Sequence, residues 1–139
     1  MERIKKHAKK HAQKLKFAVV GVANTALDFA LFLLLFNVGV NKIGANYIST
    51  SVAFIFSFFV NKSFTFKNKG GNVKKQFAIF IAVTIVALWV IQPIIIWSIT
   101  AVIGTNNLTL IFAKLVATIA SLVWNYVMYS RFVFKEKRV

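Results

Sequence analysis

The sequence has no cysteine, a single proline, six glycines and only three acidic residues. Without cysteine there is no disulfide, no thiolate metal site and no cysteine nucleophile. The two histidines, His7 and His11, have the spacing of a helical metal pair, but Lys9 and Lys10 beside them repel a cation. The acids are Glu2, Asp28 and Glu136, two of them terminal. General acid–base chemistry needs a positioned pair of titratable groups, and these three do not supply one. No glycine-rich phosphate loop is present; Gly70-Gly71 lies in a charged connector with no strand before it. The expectation is therefore a protein with no catalytic residues, no metal and no cofactor.

Apolar residues and positive charge are what the sequence has in excess. Of 139 residues 58% are hydrophobic and 15% charged, and 18 Lys+Arg give a formal charge of +15. A soluble domain has about 45–50% apolar and about 25% charged residues. Four apolar segments stand out, at 17–38, 45–60, 77–99 and 108–129. About 20 apolar residues cross a ~30 Å hydrocarbon core as helix, and helix is the form that satisfies its own backbone there. The second segment is short and needs Phe64 and Phe66 at the interface to complete a crossing. The first, behind its basic leader, resembles a signal peptide, but its run is longer than an ordinary apolar region of that kind. The expected fold is all-α: a polytopic membrane protein with four transmembrane helices. Its parts are a basic leader at 1–16, a membrane domain at 17–135 and a basic tail at 136–139.

The cations follow the spans. Arg3, Lys5, Lys6, Lys9, Lys10, Lys14 and Lys16 precede the first. Lys62, Lys67, Lys69, Lys74 and Lys75 follow the second, and Arg131, Lys135, Lys137 and Arg138 follow the fourth. The opposite loops carry only Lys42, and Lys114 lies within the fourth span. The positive-inside rule then places both termini and the middle connector in the cytoplasm, across the cell membrane. Topology accounts for the charge, so nucleic acid is not an expected partner; anionic lipid is a compatible one. The leader has the composition of a short amphipathic interfacial helix.

The halves resemble each other. Phe17-Ala18-Val19-Val20 opens the first hairpin and Phe77-Ala78-Ile79-Phe80 the second; Phe64-Thr65-Phe66-Lys67 closes the first and Phe132-Val133-Phe134-Lys135 the second. Each hairpin starts and ends on the basic side, which makes the repeat parallel. Small transporters often place a site at a repeat interface. Chance likeness of apolar helices with aromatic ends is the alternative.

Polar residues inside hydrocarbon are costly and are functional candidates. Lys114, Thr118, Ser121 and Asn125 recur at helical spacing along the fourth span. Asn46, Thr50, Ser57 and Asn61 do so in the second; Gly21, Thr25 and Asp28 do so in the first, with Asn24 beside them. Asp28 lies ~16 Å past Phe17 and Lys114 ~10 Å from the outer end, at 1.5 Å per residue. Each has a plainer reading. Lys114 can snorkel outward, and Asp28 can be a protonated structural acid or the partner of Lys114. Asn61 and Asn125 can be interhelical glue, and Gly21/Thr25 and Ala113/Ala117/Ser121 have packing spacing. Lys62 and Arg131, with their aromatic neighbours, are first of all interfacial anchors. Pro93, which removes a backbone bond, predicts a kink in the third span.

These residues, in this order, resemble the GtrA-like membrane protein family. The likeness rests on Phe17-Ala18-Val19-Val20-Gly21-Val22-Ala23-Asn24-Thr25, on Asn61-Lys62-Ser63-Phe64-Thr65-Phe66, and on Lys114 with Asn125 ending in Arg131-Phe132-Val133-Phe134. The third span has no basic residue, so a family role resting on one there does not transfer. The resemblance implies translocation of a polyprenyl-phosphate-linked sugar, such as undecaprenyl-phosphate glucose, from the inner to the outer leaflet. A separate membrane glycosyltransferase would then decorate O antigen, teichoic acid or a related polymer. On that expectation Lys114 neutralises the phosphate. Asn61, Asn125, Thr118 and Ser121 bond phosphate and sugar. Asp28 holds sugar hydroxyls or Lys114, and Lys62 and Arg131 gather the headgroup. A homo-oligomer is compatible with this scheme. The rivals are a proton-coupled small multidrug-type exporter, which Asp28 keeps in play, and a structural scaffold for a glycosyltransferase.

Overall fold

The computed structural model describes residues 1–135; the expected basic tail at 136–139, with Lys137 and Arg138, lies outside the described residues, as do the side chains of Lys42 and Ile43. All regular structure among the described residues is helical. It falls into two compact units, Met1–Lys69 and Gly70–Val139.

The first unit is a helical hairpin. Helix α1 runs Glu2–Asn37 and α2 runs Lys42–Val60. The basic leader is not a separate interfacial helix. It continues without a break into the apolar part of α1, because no residue between Glu2 and Asn37 is a glycine–proline breaker and Gly21 alone is tolerated in a helix interior. The chain then reverses through Gly39, at φ +98°, a left-handed conformation that glycine adopts without a Cβ clash. Asn41 caps α2, its Oδ1 accepting the Gly44 N–H at 2.8 Å. After Val60 the helix widens into one π turn, Asn61–Thr65, whose bond runs from the Phe66 N–H to the Asn61 carbonyl at 2.9 Å.

The second unit is longer by one interruption. Helix α3, Val73–Val86, is capped by Asn72. It passes through a second π turn, Ala87–Ile91, into α4, Gln92–Ile103. Pro93 sits just after this turn. It has no N–H for the carbonyl four residues back, so the wide turn falls where the α pattern would already be broken. Gly104, at φ +105°, ends α4. Asn106 caps α5, Asn107–Met128, accepting the Thr109 N–H at 2.8 Å. A third π turn, Tyr129–Val133, closes the unit, with the Phe134 N–H on the Tyr129 carbonyl at 2.7 Å.

Among the described residues three stretches are long and apolar enough to cross a membrane: Glu2–Asn37, Val73–Ile103 and Asn107–Val133. The second expected span is α2, whose 19 residues make about 28 Å at 1.5 Å per residue. Much large apolar surface is exposed, Val22, Phe29, Trp89, Trp97 and Leu108 among it, as a lipid-facing surface is.

Packing inside each unit uses small residues. Ala45, Ser49 and Ala53 are buried on α2, and Thr109, Ala113, Ala117 and Ser121 on α5. Steps of four follow the ridge by which helices interdigitate, and small side chains let backbones approach closely in lipid.

Candidate functional site

In the first unit the basic end of the hairpin is closed by aromatic and amide groups. The Phe17 and Phe66 rings lie 6.4 Å apart, and Lys16 Nζ stands 4.7 Å over the Phe64 ring. Asn61 is buried, and both ends of its amide are engaged. Its Nδ2 donates to Ser57 Oγ at 3.2 Å, and its Oδ1 accepts from Thr65 Oγ1 at 2.9 Å. Lys62 Nζ donates to Asn68 Oδ1 at 2.7 Å, and partial burial lowers its pKa from the ordinary lysine value. Toward the other end, half-buried Asp28 accepts from Thr50 Oγ1 on α2 at 3.4 and 3.5 Å, long for an O–H donor.

The second unit closes its basic end with a hydroxyl chain. Tyr129 is buried and stacks on Phe80, centroids 4.4 Å apart, with Phe134 against both rings. Thr84 Oγ1 lies 2.6 Å from Tyr129 Oη and 2.8 Å from the Phe80 carbonyl. A threonine has one hydroxyl hydrogen. Its only use toward the carbonyl makes Tyr129 the donor to Thr84 and Thr84 the donor to Phe80. Two further side chains of α5 serve carbonyls of α3 and of the second π turn: Trp124 Nε1 donates to Val83 O at 3.2 Å, and Ser121 Oγ to Ala87 O at 3.5 Å.

The hairpin ends correspond. A constant shift of 68 positions carries Ala45, Ser49, Ala53, Asn61, Thr65 and Phe66 onto Ala113, Ala117, Ser121, Tyr129, Val133 and Phe134, and all twelve are buried. The openings correspond one turn away from where sequence likeness places them. Phe80, not Phe77, takes the place of Phe17. Each is buried, each lies 6.4 Å from the closing phenylalanine, and buried Val20 matches buried Val83 three residues on.

The expected ladder on α5 divides. Lys114 and Thr118 are exposed, and Thr118 donates to the Lys114 carbonyl of its own helix at 2.8 Å. Ser121 belongs instead to the buried ridge. Asn125 is half-buried. The reason is geometric: the ridge steps by four residues, 400°, and so turns about 40° per step. It meets the polar stripe only near Ser121. Arg131 is exposed within the third π turn. Asp28 and Lys62 belong to the first unit, Lys114 and Arg131 to the second. Among the described residues there is no group of acids and histidines that could hold a metal.

Two buried acceptors have no partner among the described residues: Asn24 Oδ1 in the first unit and Asn125 Oδ1 in the second. An enclosed acceptor without a donor costs about 1–3 kcal/mol. Of the groups that organise the site, Tyr129 is not marked by the sequence pattern, Thr84 is marked only as one of the few polar residues of the third span, and Asn24 only as a neighbour of the first span's polar face. Aligning the two Phe-x-Phe-Lys endings sets Tyr129 against Asn61, and that was the available signal.

A family model, the GtrA/DPMS transmembrane domain, matches residues 16–134. The chain belongs to this family. No curated protein matches the sequence significantly. The match opens at Lys16, the residue before Phe17, and closes at Phe134, so it contains both aromatic closures and leaves residues 1–15 outside it. With three helices able to span a bilayer, this GtrA/DPMS domain protein is a multi-pass membrane protein. Membership ties it to glycosylation-related processes on lipid-linked sugars, in a family that is generally non-catalytic.

Proposed function

We propose that this GtrA/DPMS domain protein translocates a polyprenyl-phosphate-linked sugar across the cytoplasmic membrane and does no chemistry on it. It would do so with four spans and both termini cytoplasmic, and hand the sugar to a membrane glycosyltransferase that glycosylates a surface polymer. Undecaprenyl phosphate is the carrier this reading favours. The observation that carries it is Lys114: the one cation of α5, set in an apolar helix and exposed on its surface. A charge there is costly, and a phosphate monoanion or diester at the same depth offsets it. Thr118 stands one turn inward on the same exposed side. Lys62 and Arg131, each in a π turn at a hairpin's basic end, collect the headgroup. Asn125, Ser121, Asn61 and Asp28 contribute or position hydrogen bonds to phosphate and sugar. With no nucleotide site in the sequence, passage is facilitated or gradient-driven.

Lys114→Ala is expected to abolish polymer glycosylation in cells while the protein stays in the membrane at its normal level; unchanged surface sugar in that variant rejects the assignment. Asp28→Asn separates the exporter rival, which predicts lost drug resistance with surface sugar intact.

A further inference from the structure

The polar seam of each unit is bonded above and below and open at one point. In the second unit Ser121 is bonded to Ala87 one turn before Asn125, and Tyr129 to Thr84 one turn after it, yet Asn125 Oδ1 is enclosed with no donor among the described residues. In the first, Asn24 Oδ1 is enclosed with no donor on α1, the helix whose next turn carries Asp28 with Thr50, while Asn61 is satisfied by Ser57 and Thr65 on α2. Counted from the closing aromatics the two gaps are at similar depth. Asn24 lies seven residues beyond Phe17, and Asn125 nine before Phe134. The two amides come from opposite helices of their hairpins, the first in unit one and the last in unit two. The position shifted by 68 from Asn125 is Ser57, and that shifted by 63 from Asn24 is Ala87, so neither amide is a copied residue.

The chemistry of the gap selects the ligand. A carboxamide oxygen accepts; it has no hydrogen to give. A phosphate ester that is ionised is likewise an acceptor and cannot fill such a gap. A sugar hydroxyl donates and can. We infer that Asn24 and Asn125 are sugar-hydroxyl-binding residues, each carboxamide oxygen accepting a hydroxyl hydrogen of a glycosyl headgroup, and that they read the sugar rather than the phosphate. This rests on the translocase reading and deepens it: recognition of charge falls to Lys114, Lys62 and Arg131, and recognition of sugar falls to the two amides.

The test uses the full-length protein in phosphatidylcholine nanodiscs, with octyl β-glucoside and octyl phosphate as probes below their micellar concentrations, followed by tryptophan fluorescence. Trp124 adjoins Asn125 in sequence and reports on it. Asn24→Leu and Asn125→Leu keep the approximate volume and remove the open acceptor. Each is expected to weaken glucoside binding at least fivefold, to leave octyl phosphate binding within twofold, and to melt no lower than the parent. Glucoside binding unchanged in both leucine variants overturns the inference. If a leucine variant melts lower, the threonine variant at that position, which retains an oxygen acceptor, is expected to bind glucoside within threefold of the parent; loss of binding there overturns it. If the parent protein binds octyl phosphate but not the glucoside, the inference fails and the translocase reading stands. If it binds neither probe, both fail.

Discussion

The two hairpins solve one problem in two ways. Each ends a helix in a π turn, where the wider turn disturbs the regular backbone pairing and the residue that opens it is buried. The first hairpin places an amide at the opening position of that turn, and Asn61 satisfies itself with residues of its own strand of helix, Ser57 and Thr65. The second places a tyrosine there, and Tyr129 reaches across to α3, through Thr84 to the Phe80 carbonyl. The backbone answer is the same at positions 68 apart; the side-chain bonds are local in one hairpin and tertiary in the other. So the second hairpin's closure depends on two helices being in register, and the first's much less.

The largest expected effect tests the aromatic part of that contrast. Phe80 is fully buried and touches both Tyr129 and Phe134. Phe80→Ala should destabilise by about 3 kcal/mol, the lower end of the range for removing a buried phenyl, measured by reversible unfolding in mixed micelles. Phe17 occupies the same place in the first hairpin, is 8% exposed and has Phe66 as its ring partner. Phe17→Ala should cost less, below the about 3 kcal/mol expected at Phe80. Equal losses would mean that the two closures are energetically alike and that the tertiary character of the second adds nothing.

Next in size is the hydroxyl chain. Thr84→Val removes the hydroxyl that lies 2.6 Å from the buried Tyr129 Oη and should cost about 1–2 kcal/mol. Tyr129→Phe removes the donor and leaves Thr84 still bonded to Phe80, so it should cost less, about 0.6 kcal/mol, a typical value for one side-chain bond between membrane helices. The double variant should be more stable than the sum of the two losses predicts, because the two residues are in contact and the second substitution removes a bond already broken by the first. Asn61→Leu in the first hairpin should also cost about 0.6 kcal/mol, since Thr65 and Ser57 can turn to carbonyls of their own helix. Should Tyr129→Phe prove worse than Thr84→Val, the direction of the chain argued above is reversed.

How much of this could be read from the residues depends on what each level of structure requires. Apolar runs and the asymmetry of lysine and arginine reveal helices that can span, because bilayer thickness and helix rise set their length. The small-residue spacing at Ala113, Ala117 and Ser121 reads as packing and is the buried ridge of α5. Pro93 announces an interruption, which takes the form of the π turn at Ala87–Ile91. The repeat opening is misplaced by one turn because Phe77 and Phe80 are both good aromatic matches, and only the distance to Phe134 distinguishes them. The ladder from Lys114 to Asn125 looks like one face on a helical projection. It separates into exposed and buried members because facing depends on where the partner ridge runs, and a ridge of fours drifts around the helix. The Thr84–Tyr129 bond spans 45 positions; nothing local marks it.

The smallest expected effect falls on the contact that the sequence makes most conspicuous. Asp28 is the one acid within the first apolar run, and its partner is Thr50 on the facing helix, at 3.4 and 3.5 Å. Those distances are beyond the 2.5–3.0 Å of a good O–H donor, and the carboxyl group is only half-buried. Thr50→Val keeps the shape and should change stability by under about 0.5 kcal/mol, below the ~0.6 kcal/mol average for a well-formed bond between membrane helices. A loss above about 1.5 kcal/mol would instead make this pair a principal clasp of the first hairpin, near the ~1.7 kcal/mol maximum for such bonds. It would also erase the contrast drawn here, because the first hairpin would then depend on a side-chain bond across helices just as the second depends on Tyr129 and Thr84.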